Sequence, residues 1–168
     1  MNIELFSYQS IGVQWLYDRE TKFEIKGGVL ADEVGLGKTI MITGTILRNQ
    51  KKNTLIIVPK SLVQQWKDEI MKYTSKIEVI TPENDQFSLN TNDKETYVFI
   101  VSQSRFNRAN MNAKDLTYCN AKWDRIVIDE AHSIKNSKSK LHKAVSLLQS
   151  PIRWALTATP VMNKMIDL

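Results

Sequence analysis

The sequence contains very little cysteine and histidine, and it has no long apolar run. With one cysteine, Cys119, no disulfide can form within the chain. Cys119, His132 and His142 are too few for a Cys/His metal cluster, and Cys119 is typical of a small buried hydrophobic residue. No apolar stretch approaches the ~18 residues that cross a bilayer, and the first residues do not resemble a signal peptide. We therefore expect an intracellular protein with no membrane partner and no disulfides.

Glycine and proline are also scarce, with 6 and 4 residues among 168, which excludes a collagen-like fibre. Apolar residues make up 42% and charged residues 24%, so a mainly disordered chain is excluded as well. The length predicts about one domain with a substantial core, and we interpret residues 1–168 as that domain. The net charge of +5 permits nucleic-acid binding without establishing it.

Short apolar runs alternate with segments of helical periodicity. The runs are typical of strands buried on both faces of a parallel sheet, and they are Gly28–Ala31, Thr54–Val58, Ile77–Ile80, Thr96–Val101, Arg125–Asp129 and Ile152–Thr157. Helices are predicted over Ser7–Glu20, Lys38–Arg48, Ser61–Tyr73 and Ser137–Gln149. The alternation predicts an α/β fold, with a mostly parallel central sheet flanked by helices. The polar stretch Thr81–Glu95 predicts a surface loop.

Two of these helices have apolar stripes that contain tryptophan. The stripe of the first helix consists of Tyr8, Ile11, Trp15 and Leu16, and that of the third includes Trp66. We expect both tryptophans in the core rather than as base-stacking platforms. Ser61 is the predicted N-cap of the third helix. His142 lies in the last helix, where a surface position is favoured.

A glycine-rich segment joins the first predicted strand to the second predicted helix. It reads Asp32, Glu33, Val34, Gly35, Leu36, Gly37, Lys38, Thr39. This is the layout of a phosphate-binding P-loop, in which backbone N–H groups and a helix N-terminus surround phosphate oxygens. Lys38 would contact the β- and γ-phosphates, and the Thr39 hydroxyl would bind Mg²⁺. The strict pattern has glycine where this chain has Asp32. The alternative is a tight turn with a surface lysine.

The fifth predicted strand ends in two adjacent carboxylates, at the edge where α/β sheets bind their ligands. Asp129 fits a Mg²⁺ partner, and Glu130 is the candidate to orient and deprotonate an attacking water. His132, two residues further, could sense the γ-phosphate. Taken alone, these residues could also mark the start of a helix. After the last strand, Thr157 and Thr159 flank an alanine, and a plain turn is the alternative there.

In their order along the chain, these segments resemble the SNF2 (Swi2/Snf2) family of superfamily 2 helicase-like ATPases. The resemblance involves the entry motif at 5–16, motif I at 32–39, motif Ia at 55–66, motif II at 129–132, a short basic element at 134–136, and motif III at 156–160 with Asn163. In this family an acidic residue at the position of Asp32 is usual. Glycine is more frequent where this chain has Ala158.

The resemblance implies a RecA-like P-loop NTPase lobe of three layers, the first of two lobes. It implies that Gln9 reads adenine, that residues 32–39 and His132 bind ATP, and that Lys38, Asp129 and Glu130 are catalytic. Nucleic-acid contacts would come from Pro59, Lys60, Ser61, Ser102, Gln103, Lys135 and Asn136. Thr157 and Thr159 would couple the ATP state to the nucleic-acid track. A polar strand end remains the alternative for Ser102 and Gln103, and a solvated face for the lysines after motif II.

The function implied is DNA-dependent ATP hydrolysis with movement along duplex DNA, using ATP and Mg²⁺. RNA is the less favoured partner. The second RecA-like lobe, expected outside these residues, would supply arginines that stabilise the transferring phosphoryl group. A non-hydrolysing nucleotide- and DNA-binding module is the alternative. A small P-loop kinase is disfavoured, because the arginines are scattered rather than clustered as in a lid.

Overall fold

The computed structural model describes residues 4–81, 96–106 and 113–159. The predicted loop Thr81–Glu95 lies, apart from Thr81, outside the described residues, and so do Pro160 and Asn163 of the predicted motif III. The described strands are β1 (Lys26–Leu30), β2 (Asn53–Val58), β3 (Glu78–Ile80), β4 (Tyr97–Ser102), β5 (Arg125–Ile128) and β6 (Ile152–Leu156). They form one sheet in the order β1-β6-β5-β2-β4-β3, and every ladder is parallel.

Five helices cover the two faces of this sheet in the described part of the chain. They are α1 (Ser7–Thr21), α2 (Lys38–Arg48), α3 (Val63–Tyr73), α4 (Ala113–Asn120) and α5 (Lys140–Leu147). Side chains of α1, α2 and α3 pack in one core cluster with Ile56 and Val58 of β2. Side chains of α4 and α5 pack in a second cluster with Leu55 and Ile57. Because successive strand residues point to opposite faces, β2 contributes to both cores. The predicted three-layer α/β fold is confirmed.

Helix α1 presents a different face to the sheet from the predicted one. Its buried residues are Gln9, Val13, Leu16 and Glu20. Trp15 is 43% exposed, so the prediction that it is a core residue was wrong. The buried polar side chains of Gln9 and Glu20 have specific partners, described below. Those hydrogen bonds fix the rotation of the helix, whereas the hydropathy pattern alone selected the other stripe.

Two helices begin later than predicted. Ser61 lies in a 3₁₀ turn, Lys60–Leu62, and makes no capping hydrogen bond, because α3 begins only at Val63. Helix α5 begins at Lys140, where the Ser139 side chain accepts the N–H of His142 at 3.1 Å. A serine side chain therefore caps α5, whereas α3 has no side-chain cap.

Other details of the helices also differ from expectation. Helix α4 was not predicted, because its sequence combines polar residues with few periodic apolar ones. The ring of His142 is half-buried, and its Nδ1 lies 2.8 Å from the carbonyl oxygen of Ile134 rather than in solvent.

The expected burial of Trp66 and Cys119 is confirmed. Among the helices in the described ranges, none has the length and apolar character needed to span a bilayer.

A buried ion pair lies at the amino end of the sheet, and the sequence analysis missed it. Arg125, the first residue of β5, donates to both carboxylate oxygens of Glu20, at 2.7 and 2.5 Å. The same carboxylate accepts the indole N–H of Trp154 at 2.8 Å and the side-chain amide of Asn49 at 2.6 Å. Both charged side chains are about 1% exposed. The cluster joins α1 to β5, β6 and the end of α2. Its one sequence signal is a charged residue at the start of an apolar strand.

Candidate nucleotide and nucleic-acid site

The carboxyl ends of the parallel strands meet at one edge of the sheet, and the predicted site residues follow those ends. The P-loop follows β1, Thr157 follows β6, Asp129 follows β5, Pro59 follows β2, and Gln103 follows β4. These strands are consecutive neighbours in the sheet. The fold therefore assembles, at one edge, segments that are far apart in the sequence.

The P-loop curves from β1 into the first turn of α2. Gly35 and Gly37 have φ values of 88° and 83°, a left-handed conformation that favours glycine. Lys38, the first residue of α2, extends its ammonium group back over the loop and donates to the carbonyl oxygens of Asp32 and Glu33 at 2.7 and 3.0 Å. Most residues of the loop are exposed, namely Glu33, Val34, Gly35 and Leu36, whereas Thr39 is half-buried. The loop thus offers open backbone beside a positive charge.

Gln9 packs directly against this loop from α1. Its side chain is 6% exposed, and its Oε1 accepts the backbone N–H of Phe6 at 3.1 Å. Its Nε2 lies 3.4 Å from the carbonyl oxygen of Leu36. A Cβ atom at Gly37 would lie 2.6 Å from the same Nε2, so only glycine leaves room for this contact. The structure therefore brings the predicted adenine-reading glutamine together with the predicted phosphate loop.

Asp129 is the most enclosed carboxylate at the edge, with 7% of its surface exposed. Its Oδ2 accepts the indole N–H of Trp66 at 2.9 Å, and its Oδ1 accepts the backbone N–H of Glu130 at 2.9 Å. Its own backbone N–H donates to the carbonyl oxygen of Ile57. The carboxylate is therefore held in one orientation. The contact with Trp66 was missed, because a tryptophan on an apolar stripe carries no signal of a polar partner.

Glu130 has a left-handed backbone, with φ 49° and ψ 48°. It is the single non-glycine residue with positive φ in the part of the chain that the structure describes. This conformation costs roughly 1–2 kcal/mol for a residue with a Cβ atom. The side chain is 39% exposed, and its Oε2 lies 3.2 Å from Nδ1 of His132. The turn thus directs the second carboxylate outwards while the first stays buried.

An open groove of about 340 Å³ lies beside these carboxylates, across the ends of β2 and β4. Its lining includes Pro59, Lys60 and Gln103 of the predicted nucleic-acid set, together with Ser133 and Ser139, which the sequence analysis missed. Gln103 also donates its side-chain N–H to the backbone carbonyl of Asp129 at 2.7 Å.

The remaining residues of the predicted nucleic-acid set lie near this groove without lining it. Ser61 is exposed in the turn before α3, and the hydroxyl of Ser102 lies 2.8 Å from that of Ser104. Lys135 and Asn136 are exposed and follow the 3₁₀ turn Ala131–Ile134. The lining of the groove thus includes only part of the predicted nucleic-acid set.

Thr157 connects the end of β6 to the strand that precedes the P-loop. Its backbone N–H donates to the carbonyl oxygen of Leu30 at 3.1 Å, and its hydroxyl accepts the N–H of Thr159 at 3.1 Å. Thr157 is buried, and Thr159 is exposed. The two threonines therefore form a small turn that is bonded to the base of the P-loop.

A family model described as the SNF2-related domain matches residues 8–168. The chain belongs to this SNF2-related family. It is 38% identical to an "Uncharacterized ATP-dependent helicase" of Mycoplasma pneumoniae, over 98% of this chain and 16% of that protein. It is 34% identical to the "ISWI chromatin-remodeling complex ATPase ISW2" of Saccharomyces cerevisiae, over 98% of this chain and 15% of that protein. The chain therefore spans only about a sixth of the length of these SNF2-related proteins.

The fold also matches a solved SNF2 structure. The "Sulfolobus solfataricus SWI2/SNF2 ATPase core in complex with dsDNA" aligns with a TM-score of 0.82 and 30% identity, over 100% of this chain and 35% of that one. The sheet and helices described above are therefore a RecA-like α/β fold of the SNF2 type. The resemblance identified from the ordered motifs is confirmed.

Proposed function

We propose that this chain is the ATP-binding lobe of a DNA-dependent ATPase and translocase, which hydrolyses ATP to ADP and phosphate when a second RecA-like lobe completes the site. The observation that supports this most strongly is the convergence of the P-loop lysine and the Asp129–Glu130 pair at one sheet edge. The names of its relatives, an ATP-dependent helicase and a remodelling-complex ATPase, point to the same nucleotide.

The phosphates of ATP would occupy the concave side of the P-loop. Lys38 would exchange its bonds to the carbonyls of Asp32 and Glu33 for bonds to the β- and γ-phosphates. The N-terminus of α2 adds partial positive charge at the same point. Gln9, already in contact with Leu36 of the loop, would read the adenine.

The donor atoms at this edge fit Mg²⁺. The described residues contain no group of three His, Cys, Asp or Glu side chains that could hold a metal ion. Mg²⁺ typically binds one or two protein oxygens together with substrate phosphates, which matches a set of the Thr39 hydroxyl and the Asp129 carboxylate. Each Asp129 oxygen accepts one N–H and keeps a lone pair for a further bond. When bound, the ion would neutralise charge on the phosphates.

Glu130 would act as the general base for the attacking water. Its left-handed backbone and exposed side chain suit a group that must reach a substrate, unlike the enclosed Asp129. His132, close to Glu130, would respond to the γ-phosphate or orient the base. Thr157 and Thr159, bonded to the strand before the P-loop, would couple the nucleotide state to the track.

Duplex DNA is the proposed track, with RNA less favoured. The solved relative from Sulfolobus solfataricus is titled as a complex with dsDNA. Lys60, Gln103 and Pro59 line the groove beside the nucleotide site, and Ser61, Ser102, Lys135 and Asn136 lie around it. The net charge of +5 favours a polyanion. We propose an intracellular location for this activity.

The test is ATP hydrolysis with Mg²⁺ at low salt, with and without duplex DNA. The intact protein should show DNA-stimulated turnover that Lys38→Ala abolishes. The 168-residue chain alone should show almost none, because the arginines of the second lobe contribute about 10³–10⁵ in rate in related NTPases. Turnover that is unchanged by Lys38→Ala would refute the proposal. DNA and nucleotide binding by the intact protein without hydrolysis would instead support the alternative, a non-hydrolysing binding module.

A further inference from the structure

Two segments of the proposed nucleic-acid surface are hydrogen-bonded to the same residue of the proposed nucleotide site. The turn Lys60–Leu62 continues directly into α3, where Trp66 donates its indole N–H to Oδ2 of Asp129 at 2.9 Å. Gln103, at the end of β4, donates its amide N–H to the backbone carbonyl of Asp129 at 2.7 Å. One bond holds the carboxylate, and the other holds the backbone that carries it.

The buried surroundings of the Trp66 hydrogen bond restrict the movement of the Asp129 carboxylate. Trp66 is 1% exposed, so its indole and the Asp129 carboxylate meet in a medium of low dielectric constant, where a charge-assisted bond is strong. The second carboxylate oxygen is already bonded to the N–H of Glu130. The carboxylate therefore cannot rotate to follow a displaced indole without breaking another bond. A shift of α3 or of the end of β4 must alter the position of Asp129.

A nucleic acid in the groove would directly contact both segments that are hydrogen-bonded to Asp129. Lys60 and Gln103 both line it. A phosphate bound by Lys60 would contact the turn that leads into α3, six residues before Trp66. A backbone bound along the groove would also touch Gln103, whose amide N–H is the donor to Asp129.

We infer that Trp66 and Gln103 are positioning residues that make nucleotide binding and duplex-DNA binding interdependent, by fixing Asp129 according to the state of the groove. This inference rests on the proposed function, because it requires that both ligands bind. Such coupling is reciprocal: if the nucleotide changes the affinity for DNA, DNA changes the affinity for the nucleotide by the same factor.

The test compares dissociation constants for a blunt-ended DNA duplex, measured on the intact protein with no nucleotide and with ADP and Mg²⁺. The ratio of the two constants is the coupling factor, and in allosteric proteins it is typically about 5–150. Trp66→Phe removes the indole N–H but keeps an aromatic ring in the core. Trp123→Phe is the matched control, since Trp123 is equally buried but donates to the carbonyl of Tyr118 on the opposite face.

We expect Trp66→Phe to reduce the coupling factor to within about threefold of unity, while Trp123→Phe keeps the wild-type factor. Gln103→Leu tests the second bond at a partly exposed position, and it should also lower the factor even if it weakens DNA binding itself. A coupling factor of unity in the wild type, or wild-type factors in both Trp66→Phe and Gln103→Leu, would overturn this inference and leave the proposed function intact. Failure of the wild type to bind DNA at all would refute the proposed function, and the inference with it.

Discussion

Strand β5 has a charged residue at each end, and the two charges have opposite surroundings. Arg125, at the amino end, is bonded to both oxygens of Glu20 and also to the carbonyl of Asn49. Asp129, at the carboxyl end, accepts two N–H groups, although a carboxylate offers about four lone-pair sites. The first charge is paired with a buried counter-charge and bonded to further protein acceptors, whereas the second retains capacity for a ligand.

This difference predicts that the amino end of the strand contributes to stability and that its carboxyl end contributes to ligand binding. A buried polar cluster whose members are all bonded holds the elements around it in one arrangement. Glu20 and its partners do so for α1, β5, β6 and α2. A carboxylate with spare acceptor sites at a sheet edge instead has the properties of a binding site. Substitutions at the two ends should therefore change different measurements.

The largest expected effect is at the carboxyl end, for Glu130→Gln. Loss of the proposed general base should lower DNA-stimulated ATP hydrolysis of the intact protein by about 10²–10⁴-fold. The side chain is 39% exposed, so the free energy of unfolding should change by no more than about 0.5 kcal/mol. Steady-state kinetics and urea unfolding of the same preparation measure both quantities. A variant with full activity would show that Glu130 is not the base.

At the amino end, Glu20→Gln should have the converse effect. It leaves the Arg125 charge buried without a counter-charge, which should lower the free energy of unfolding by about 3–5 kcal/mol. Binding of ADP by the folded protein should not change, because Glu20 lies at the opposite edge of the sheet. Urea unfolding checks the first expectation and ADP titration the second.

The control for Glu20→Gln is Asp18→Asn. Asp18 forms an ion pair with Lys22 at 3.0 Å on the exposed side of the same helix. Solvent screening makes such a pair weak, so the unfolding midpoint of Asp18→Asn should stay close to that of the wild type. Equal destabilisation by the two variants would contradict the proposed difference between the buried and exposed pairs.

A smaller effect is expected for Trp154→Phe, which removes one donor to Glu20. Hydrogen bonds to a charged group contribute about 1.5–3 kcal/mol, and neutral ones about 0.5–1.5 kcal/mol. Trp154 donates to a carboxylate, whereas Trp123 donates to a neutral carbonyl. Trp154→Phe should therefore destabilise the protein by about 1 kcal/mol more than Trp123→Phe, as measured by urea unfolding. The opposite order would show that packing outweighs the bond.

The smallest effect concerns the backbone of Glu130. Glycine adopts its left-handed conformation without the steric cost of a Cβ atom. The Glu130→Gly variant should therefore be more stable than Glu130→Ala by about 1 kcal/mol, although both should lack ATPase activity. Thermal unfolding of the two variants measures this difference directly. Equal stabilities would indicate that the turn relaxes when the side chain is shortened.

Most of the fold and the order of the site segments could be predicted from the sequence. The apolar runs gave all six described strands, and the glycine-rich loop and the Asp129–Glu130 pair fall at the expected strand ends. These features are local, because each depends on residues that are adjacent in the chain. Strand order is not local, so the sequence did not reveal which segments become neighbours at the edge.

The failures involve polar groups whose partners are distant in the sequence. The rotation of α1 depends on Gln9 and Glu20, and Glu20 finds Arg125 more than a hundred residues later. The partner of the Trp66 indole, Asp129, is likewise distant, 63 residues later in the chain. Hydrophobic periodicity treats such side chains as apolar or exposed, and it carries no information about a hydrogen bond across the sheet.

The position of β1 at the side of β6 also has a consequence for synthesis on the ribosome. In the described part of the chain β1 pairs only with β6, where Gly28 meets Trp154 roughly 125 residues later. At about 5–20 residues per second, the strand that precedes the P-loop emerges about 6–25 s before its partner. β2 and β4 become available to each other much sooner. The strand before the glycine-rich loop therefore enters the sheet late, after β2 and β4 have become available to pair.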